Sequence, residues 1–258
     1  MELNGQPVDP DAVRALALTN YGHFTSMRVE DGRVRGLALH LERLARDCRA
    51  VFGTRLDTDR VRAYLRGAVD GRAGSFVVRM SVFDPSLDIG RPSAAAAPQV
   101  LVTSRPAGSL PLPPMRVMSV PYVRDAAEIK HTGLFGALHA RRTAQLAGYD
   151  DALFHGPGGQ VSEGGTWNVG FVDARGGVVW PRGDVLPGVT MTLLQRRNEH
   201  TVREVPIAEA RGMRAAFATN TSVGVRALAA VDGTELSTDD PVLAALRAGY
   251  LDLPGDPV

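Results

Sequence analysis

The spacing of hydrophobic residues predicts alternating strands and helices in the first part of the chain. Residues 24–29 and 33–35 have strand-like patterns and flank Asp31 and Gly32, a pair typical of β-hairpin turns. After them, leucines recur at helical spacing from Leu37, and Gly53 stands where a helix C-cap is expected. The pattern also predicts a second helix that begins at residue 58 or 59, and strands at residues 75–83 and 99–103.

A proline-rich stretch separates this part from the rest of the chain. Residues 104–114 contain four prolines, which disfavour helices and strand pairing and are typical of a connector. We therefore predict an N-terminal α/β domain of residues 1–105, a linker of residues 106–114 and a C-terminal α/β domain of residues 115–258. In the C-terminal part the pattern predicts strands at residues 115–120, 152–154, 169–172, 215–218 and 225–231, and helices at residues 134–147, 189–200 and 241–248.

Composition narrows the classes of function. The 258 residues include 29 basic and 28 acidic side chains and only 6% aromatic residues, which is not the basic, ring-bearing surface of a nucleic-acid-binding protein. Because no apolar run approaches the roughly 18–20 residues of a membrane span and the polar start is not typical of a signal peptide, we expect a soluble, cytoplasmic protein. Cys48 is the only cysteine and the six histidines show no metal-ligand spacing, so no metal site is predicted.

One basic residue differs from all the others. Of the 29 basic side chains, 28 are arginines and one, Lys130, is a lysine. An arginine serves as well as a lysine for a solvated charge, but its guanidinium is never deprotonated enough to act as a nucleophilic amine. Lys130 is therefore either a surface lysine that survived by chance or a residue retained for its amine.

Two further features suggest what that amine does. Glu163 lies in a glycine-flanked bend between predicted strands, and residues 186–190, with the sequence Leu-Pro-Gly-Val-Thr, begin a predicted helix whose free N–H groups favour an anion. Taken singly, these are a turn carboxylate and a Pro-Gly turn. Together with Lys130 they supply an amine for an imine, a carboxylate for a ring nitrogen and a phosphate site, the three groups that pyridoxal phosphate requires.

Five short motifs occur in order along residues 3–236. They are His40-Leu41-Glu42-Arg43-Leu44, Ile129-Lys130, Val161-Ser162-Glu163-Gly164, Leu186-Pro187-Gly188-Val189-Thr190 and Thr219-Asn220-Thr221. This series resembles the class IV aminotransferases, the fold-type IV pyridoxal-phosphate enzymes, which include branched-chain and D-amino-acid aminotransferases, (R)-amine transaminases and aminodeoxychorismate lyase. The resemblance implies a two-domain α/β (α+β) fold with the cofactor at the domain interface, and a homodimer.

The resemblance also implies roles for individual residues. Lys130 corresponds to the Schiff-base lysine and Glu163 to the glutamate that pairs with the pyridine nitrogen. The residues expected to bind the cofactor phosphate are Arg43, Leu186, Gly188, Val189, Thr190, Asn220 and Thr221. One family feature is missing, because Leu134 and Phe135 stand where many relatives have a tyrosine that hydrogen-bonds the cofactor.

Three functions are compatible with these residues. The first is a transaminase that moves an amino group from an amino acid or amine to an oxo acid or ketone, with Lys130 as the proton-transferring base. The second is aminodeoxychorismate lyase, which Thr25 and the Lys130-His131 pair favour, and the third is a catalytically idle, cofactor-binding homologue. The candidate substrate-binding residues, among which the sequence does not choose, are Thr25, Arg28, Arg79, Arg91 and Trp167.

Overall fold

The computed structural model describes residues 1–258 and contains sixteen strands and seven helices. The strands are β1 (Glu2–Leu3), β2 (Gln6–Pro7), β3 (His23–Glu30), β4 (Arg33–Val34), β5 (Ser75–Phe83), β6 (Gln99–Pro106), β7 (Met115–Pro121), β8 (Asp151–His155), β9 (Val161–Gly164), β10 (Asn168–Val172), β11 (Val178–Pro181), β12 (Thr201–Arg203), β13 (Ala215–Asn220), β14 (Gly224–Val231), β15 (Thr234–Glu235) and β16 (Asp256–Pro257). The helices are α1 (Pro10–Thr19), α2 (Leu37–Phe52), α3 (Thr58–Val69), α4 (Phe135–Leu146), α5 (Val189–Arg197), α6 (Ile207–Ala210) and α7 (Pro241–Leu251). No helix combines the length and the apolar composition that spanning a bilayer requires.

The chain forms two units, and neither is a single stretch of sequence. The first comprises residues 1–108, 129–133 and 254–258, and the second comprises residues 109–128 and 134–253. The break after Gly108 falls within the predicted linker. Lys130, which the sequence assigned to the C-terminal domain, instead packs with the first unit, because residues 129–133 pair with the start of β3.

The first unit is a seven-stranded sheet with strand order β16-β4-β3-β5-β6-β1-β2. Side chains alternate between the two faces of a strand, so β3 and β5 each present one apolar face and one mixed face. Met27 and Val29 of β3 and Val78 and Met80 of β5 belong to the apolar core, together with residues of α2 and α3. The other face of the same strands carries Phe24, Ser26, Arg28, Arg79 and Ser81.

The predicted elements of the first unit are largely present. The β3–β4 hairpin turns at Asp31 and Gly32, both with positive φ, and α2 ends at Gly53 in the left-handed conformation. Helix α1 was not predicted from the sequence, and its apolar face is small, with Ala12 buried and Leu16 partly buried beside Phe83 and Leu101. Its own signals are Asp9 as N-cap and Pro10 at the first helical position.

The second unit is a nine-stranded sheet with the path β12-β11-β10-β13-β14-β7-β8-β9, with β15 paired to β14. Strand β9 also pairs with β10, so the path from β10 through β13, β14, β7 and β8 to β9 closes on itself. The closing pair joins Glu163 to Asn168. Strands β11 and β12 were not predicted from the sequence, and the predicted helix at residues 189–200 ends earlier, at Arg197.

Candidate active site

The backbone of Lys130 is bound on both sides. Residues 129–133 run antiparallel to the start of β3, where the Phe24 N–H donates to the Lys130 carbonyl at 2.8 Å and the Thr132 N–H donates to Gly22 at 2.9 Å. The Lys130 N–H donates in the other direction, to Asp47 Oδ2 of helix α2 at 3.0 Å. A loop residue whose N–H and carbonyl are both hydrogen-bonded has little backbone freedom.

The ring of Phe24 lies beside two cations. Lys130 Nζ is 4.9 Å from the ring centroid and Arg79 Cζ is 3.6 Å from it, both within the range of cation–π attraction. The Lys130 amine and the Arg79 guanidinium therefore lie close to each other, at the same aromatic ring. Arg79 Nε also donates to Ser81 Oγ at 3.1 Å, and burial lowers the pKa of the Arg79 guanidinium.

Helix α2 contributes buried polar residues to the same unit. Arg43 Nη2 donates to Thr25 Oγ1 at 2.8 Å, and Thr25 Oγ1 lies 2.8 Å from His40 Nδ1. Because arginine has no acceptor, the Thr25 hydroxyl accepts from Arg43, and the tautomer of His40 sets the direction of its hydrogen bond with Nδ1. The pKa of His40 is well below its ordinary value, first because of burial and then because of the nearby charges of Arg43 and Lys130.

In the second unit, Glu163 is held by donors on both oxygens. Arg124 Nε donates to Glu163 Oε1 at 2.9 Å, and the Leu186 N–H donates to Oε2 at 3.2 Å. Arg124 Nη2 also donates to the carbonyl of Ala127. The carboxylate is therefore oriented from two directions inside the protein, with both side chains of the ion pair at least nine-tenths buried.

The start of helix α5 has the properties of an anion site. Gly188 is its N-cap and provides no side-chain cap, so the first N–H groups of the helix lack a local partner. A Cβ at Gly188 would lie 2.1 Å from Asn168 Oδ1, so this close approach requires glycine. Asn168 Nδ2 in turn donates to the Leu186 carbonyl at 2.8 Å and holds the turn in place.

Two threonines of this unit have buried hydroxyls without a hydrogen-bond partner, Thr190 in α5 and Thr219 in β13. A buried polar atom normally has a partner, and one without is explained by a ligand or a water. The neighbouring Asn220, predicted from the sequence, uses its side chain elsewhere. Its Nδ2 donates to the Thr166 carbonyl at 3.0 Å, and its Oδ1 accepts from the Ser222 N–H at 2.8 Å and the Val223 N–H at 2.9 Å.

Comparison with protein families decides the identity of the chain. Residues 22–231 match the family model of the class IV amino-transferases. The chain belongs to the class IV aminotransferases. Comparison with curated protein sequences gives no significant match.

Solved structures of this class IV aminotransferase's relatives share its fold. The branched-chain aminotransferase of the archaeon Thermoproteus uzoniensis has a TM-score of 0.86 at 19% identity, covering 97% of this chain and 92% of that one. The fold IV-transaminase CpuTA1 of Curtobacterium pusillum has a TM-score of 0.78 at 25% identity, covering 92% and 88%. A hypothetical aminotransferase of Mycobacterium tuberculosis in its pyridoxal-phosphate-bound form has a TM-score of 0.79 at 20% identity, covering 96% and 94%.

These findings confirm the predicted family, the fold-type IV architecture, the transaminase class and pyridoxal phosphate as cofactor. The lyase is not favoured. The residues fit the cofactor, because the unpartnered hydroxyls of Thr190 and Thr219 and the glycine-lined start of α5 suit a phosphate, and the buried Glu163 suits a protonated ring nitrogen. The location of the cofactor between two domains stays a prediction.

The class IV aminotransferase uses several of the candidate substrate residues for its own structure. Thr25 is fully buried against Arg43 and His40, and Trp167 lies in the core, where its Nε1 donates to Asp151 Oδ2 at 2.8 Å. Arg28 donates to Glu30 Oε1 at 2.7 Å and to the Gly108 carbonyl at 2.8 Å. Arg91 is exposed in the loop between β5 and β6, and Thr221 is half-buried.

Sequence reasoning did not find Asp47, Arg124 and Thr219. The chain has 28 acidic residues and 28 arginines, so nothing in the residue type of Asp47 or Arg124 distinguished them as functional residues. Thr219 belongs to the motif that named Asn220 and Thr221, and only its burial distinguishes it. Leu134 and Phe135, at the start of α4, provide no phenol, as the sequence indicated.

Proposed function

We propose that the chain transfers an amino group from an amino acid to an oxo acid, with Lys130 as the residue that bonds pyridoxal phosphate. The supporting observation is the setting of the only lysine: its backbone is hydrogen-bonded on both sides and its amine lies over Phe24, beside Arg79. When bound, pyridoxal phosphate supplies an aldehyde that condenses with an amine and a protonated ring that withdraws electrons from the carbon bearing that amine.

Lys130 has two tasks in this proposal. Its Nζ would hold the aldehyde carbon of the bound cofactor, and as a free amine it would take a proton from the substrate α-carbon and later give it back. A second substrate, an oxo acid, would be converted by the same tasks in reverse order. Arginine cannot perform either task, which explains why lysine is retained at this one position.

Glu163 holds the proton of the cofactor ring nitrogen in this proposal. A carboxylate can accept at about four positions, so the donors Arg124 and Leu186 leave it able to accept from the ring. The ion pair with Arg124 keeps the Glu163 side chain oriented inside the protein. Glu163 thereby keeps the ring cationic while Lys130 moves the substrate proton.

The phosphate is assigned to Arg43, to the N–H groups of Val189 and Thr190, and to the hydroxyls of Thr190 and Thr219. Thr25 and His40 orient Arg43 through the hydrogen-bonded chain described above. The first turn of α5 favours an anion through its N–H groups and helix dipole. Gly188 permits the approach, and Leu186 links this turn to Glu163. The side chain of Asn220 supports the turn after β13, and Thr221 stays a predicted phosphate residue.

Arg79 is the residue we assign to the substrate carboxylate. Of the three arginines considered, Arg28 is engaged by Glu30 and Gly108, and Arg91 is exposed in a loop. Arg79 lies on the same ring as Lys130, within reach of one substrate whose α-carbon faces the Lys130 amine and whose carboxylate meets the guanidinium. A guanidinium binds a carboxylate through two parallel hydrogen bonds. Amino acids are therefore the proposed donors rather than simple amines.

The test begins with the purified protein and its absorbance. We expect a yellow protein whose chromophore sodium borohydride fixes to Lys130, identified by mass spectrometry of the labelled peptide. Amino acid donors should bleach the band and oxo acids should restore it. A colourless protein that ignores added pyridoxal phosphate would contradict the proposal, and pyruvate released from aminodeoxychorismate without an amino acceptor would identify the lyase.

The lyase alternative rested in part on Thr25, whose hydroxyl is occupied by Arg43 and His40. The homodimer and the cytoplasmic location remain part of the proposal. Light scattering of the cofactor-loaded protein tests the first, and fractionation of the producing cells tests the second.

A further inference from the structure

Helix α2 places three polar residues on its buried face. His40, Arg43 and Asp47 are spaced by three and four residues, which brings them to one side of the helix. His40 and Arg43 contact Thr25, whereas Asp47 lies one turn farther along and reaches residues 129–133. The side chain of Asp47 is 1% exposed.

The two oxygens of Asp47 have different partners. Oδ1 accepts from Arg46 Nε at 3.0 Å and Arg46 Nη2 at 2.7 Å, and Oδ2 accepts from the Lys130 N–H at 3.0 Å. Arg46 is 47% exposed, so its pairing with Asp47 is partly screened by water. The hydrogen bond to Lys130 joins residues 83 positions apart and is partly buried.

The buried carboxylate of Asp47 is stabilised by Arg46 on one oxygen and by the Lys130 N–H on the other. Burying a carboxylate is strongly unfavourable unless it is paired and hydrogen-bonded, and a neutral acceptor would bind the same N–H. Asp47 lies on the same face of α2 as Arg43, the residue proposed to bind the phosphate. Its hydrogen bond therefore connects the backbone of Lys130 to the helix that carries Arg43. The distance from the lysine amine to Arg43 then depends on one rigid element.

We propose that Asp47 is a positioning residue that holds the backbone of Lys130 so that its amine has a fixed place relative to Arg43. This inference rests on the proposed role of Lys130. Asp47 touches no reacting atom. It restricts the start of the lysine side chain, and the Phe24 N–H restricts the other side of the same residue.

Removing this hydrogen bond should act on chemistry more than on binding. Asp47→Ala removes the hydrogen bond from the Lys130 N–H to Asp47 Oδ2, and we expect kcat to fall about 10- to 100-fold, since small misplacements of a reacting group have effects of that size. KM for the amino donor should change less than about threefold, because Arg79 lies on β5 and not on α2. Asp47→Asn keeps an acceptor oxygen for Lys130, and Arg46 can turn to water, so kcat should return to within about threefold of wild type.

Hydrogen exchange gives a second measurement that is independent of turnover. In Asp47→Ala the amide of Lys130 should exchange about 10-fold faster or more, measured by mass spectrometry on the peptide that contains residues 129–133. Asp232→Ala is the matched control, because Asp232 also accepts from a distant N–H, that of Ser119 at 2.6 Å, and from Arg211. The control should lower the melting temperature without changing kcat or exchange at Lys130.

The outcomes separate this inference from the proposed function. If borohydride does not fix the cofactor to Lys130 in the wild-type protein, the proposed function fails. If it does, and Asp47→Ala matches Asp232→Ala in kcat and in exchange at Lys130, the role of Asp47 is refuted. If Asp47→Ala does not fold, Asp47→Leu, which keeps the volume without an acceptor, takes its place in the same comparison.

Discussion

The carboxylate of Glu163 and the guanidinium of Arg124 form an ion pair, with Nε donating to Oε1 at 2.9 Å and only 7% and 10% of the two side chains exposed. Breaking a buried pair leaves a charge without its partner. This relationship determines how each residue of the pair responds to mutation.

Arg124→Gln alone should lower the free energy of unfolding more than the removal of both charges does. The single change leaves the Glu163 carboxylate buried and unpaired, at about 3–5 kcal/mol of unfolding free energy. Arg124→Gln with Glu163→Gln removes both charges and should recover part of that loss. Urea unfolding of the two single variants and the double variant checks this, and strict additivity would contradict the coupling. Activity should be lost in all three, because each disturbs the proposed contact with the ring nitrogen.

Lys130→Arg should give a folded protein without transaminase activity. The charge over the Phe24 ring is kept, so the melting temperature of the apoprotein should stay within a few degrees of wild type. The amine is lost, so borohydride should fix no cofactor and turnover should fall at least about 1,000-fold. Turnover close to that of the wild-type protein would refute the assignment of Lys130.

Arg79→Gln should impair amino acid donors selectively. Losing a bidentate contact with a carboxylate should raise KM or lower kcat/KM for an amino acid about 10- to 100-fold. An amine donor that lacks a carboxylate should be affected less than about threefold. Arg91→Gln, in the exposed loop, is the matched control and should leave both donors unchanged. Equal effects of Arg79→Gln on both kinds of donor would exclude a carboxylate contact.

Thr190→Val should have opposite effects on the apoprotein and on cofactor binding. The hydroxyl of Thr190 is buried without a partner, so its replacement by a methyl group of similar shape should stabilise the apoprotein by about 1 kcal/mol. The same change removes a donor for the phosphate and should weaken cofactor binding about 10- to 100-fold. Thermal unfolding without cofactor and equilibrium dialysis with cofactor measure the two effects. Thr219→Val should likewise stabilise the apoprotein and weaken cofactor binding.

Acid should destabilise the protein through His23. Burial lowers the pKa of His23 from 6.5 to about 4, opposed by Asp47 and assisted by Arg43. Because the folded pKa lies below the unfolded one, the unfolded chain binds the proton first, and stability is complete above pH 6.5 and falls as the pH drops toward 4. The loss attributable to His23 is about 3 kcal/mol. Urea unfolding between pH 4 and 8 should show a flatter curve for His23→Phe than for wild type.

Local signals in the sequence account for much of the secondary structure. The leucine spacing that begins at Leu37 and the glycine at position 53 predicted α2, and the structure has it at Leu37–Phe52 with Gly53 as its left-handed C-cap. These signals are local because a helix and its cap are formed by residues a few positions apart. Edge strands of two residues, such as β2 and β16, carry no periodicity and could not be predicted.

Helix α2 also has contacts that the sequence did not predict. Hydrophobic spacing predicted which side of α2 is buried, but not that Asp47 would be buried with it. The partner of Asp47 is the N–H of Lys130, 83 residues away, and hydrophobic patterns carry no information on such a pair. The sequence motif predicted that Arg43 binds the cofactor. It did not predict the hydrogen bond from Arg43 to Thr25, which forms because α2 packs against β3.

The sequence by itself determined the chemical inventory of this protein: one amine among 29 basic side chains, an acid followed by glycines, and a Pro-Gly pair just before a helix. The acid, Glu163, was predicted in a bend, whereas the structure places it in β9. Those features follow from residue type and close neighbours, and they were enough to indicate pyridoxal phosphate. The tertiary structure decided which side chains are free for that chemistry. Thr25, Arg28 and Trp167 have their hydrogen-bonding groups occupied by the protein, while Thr190 and Thr219 are buried without partners, because burial and long-range hydrogen bonds exist only after the chain has folded.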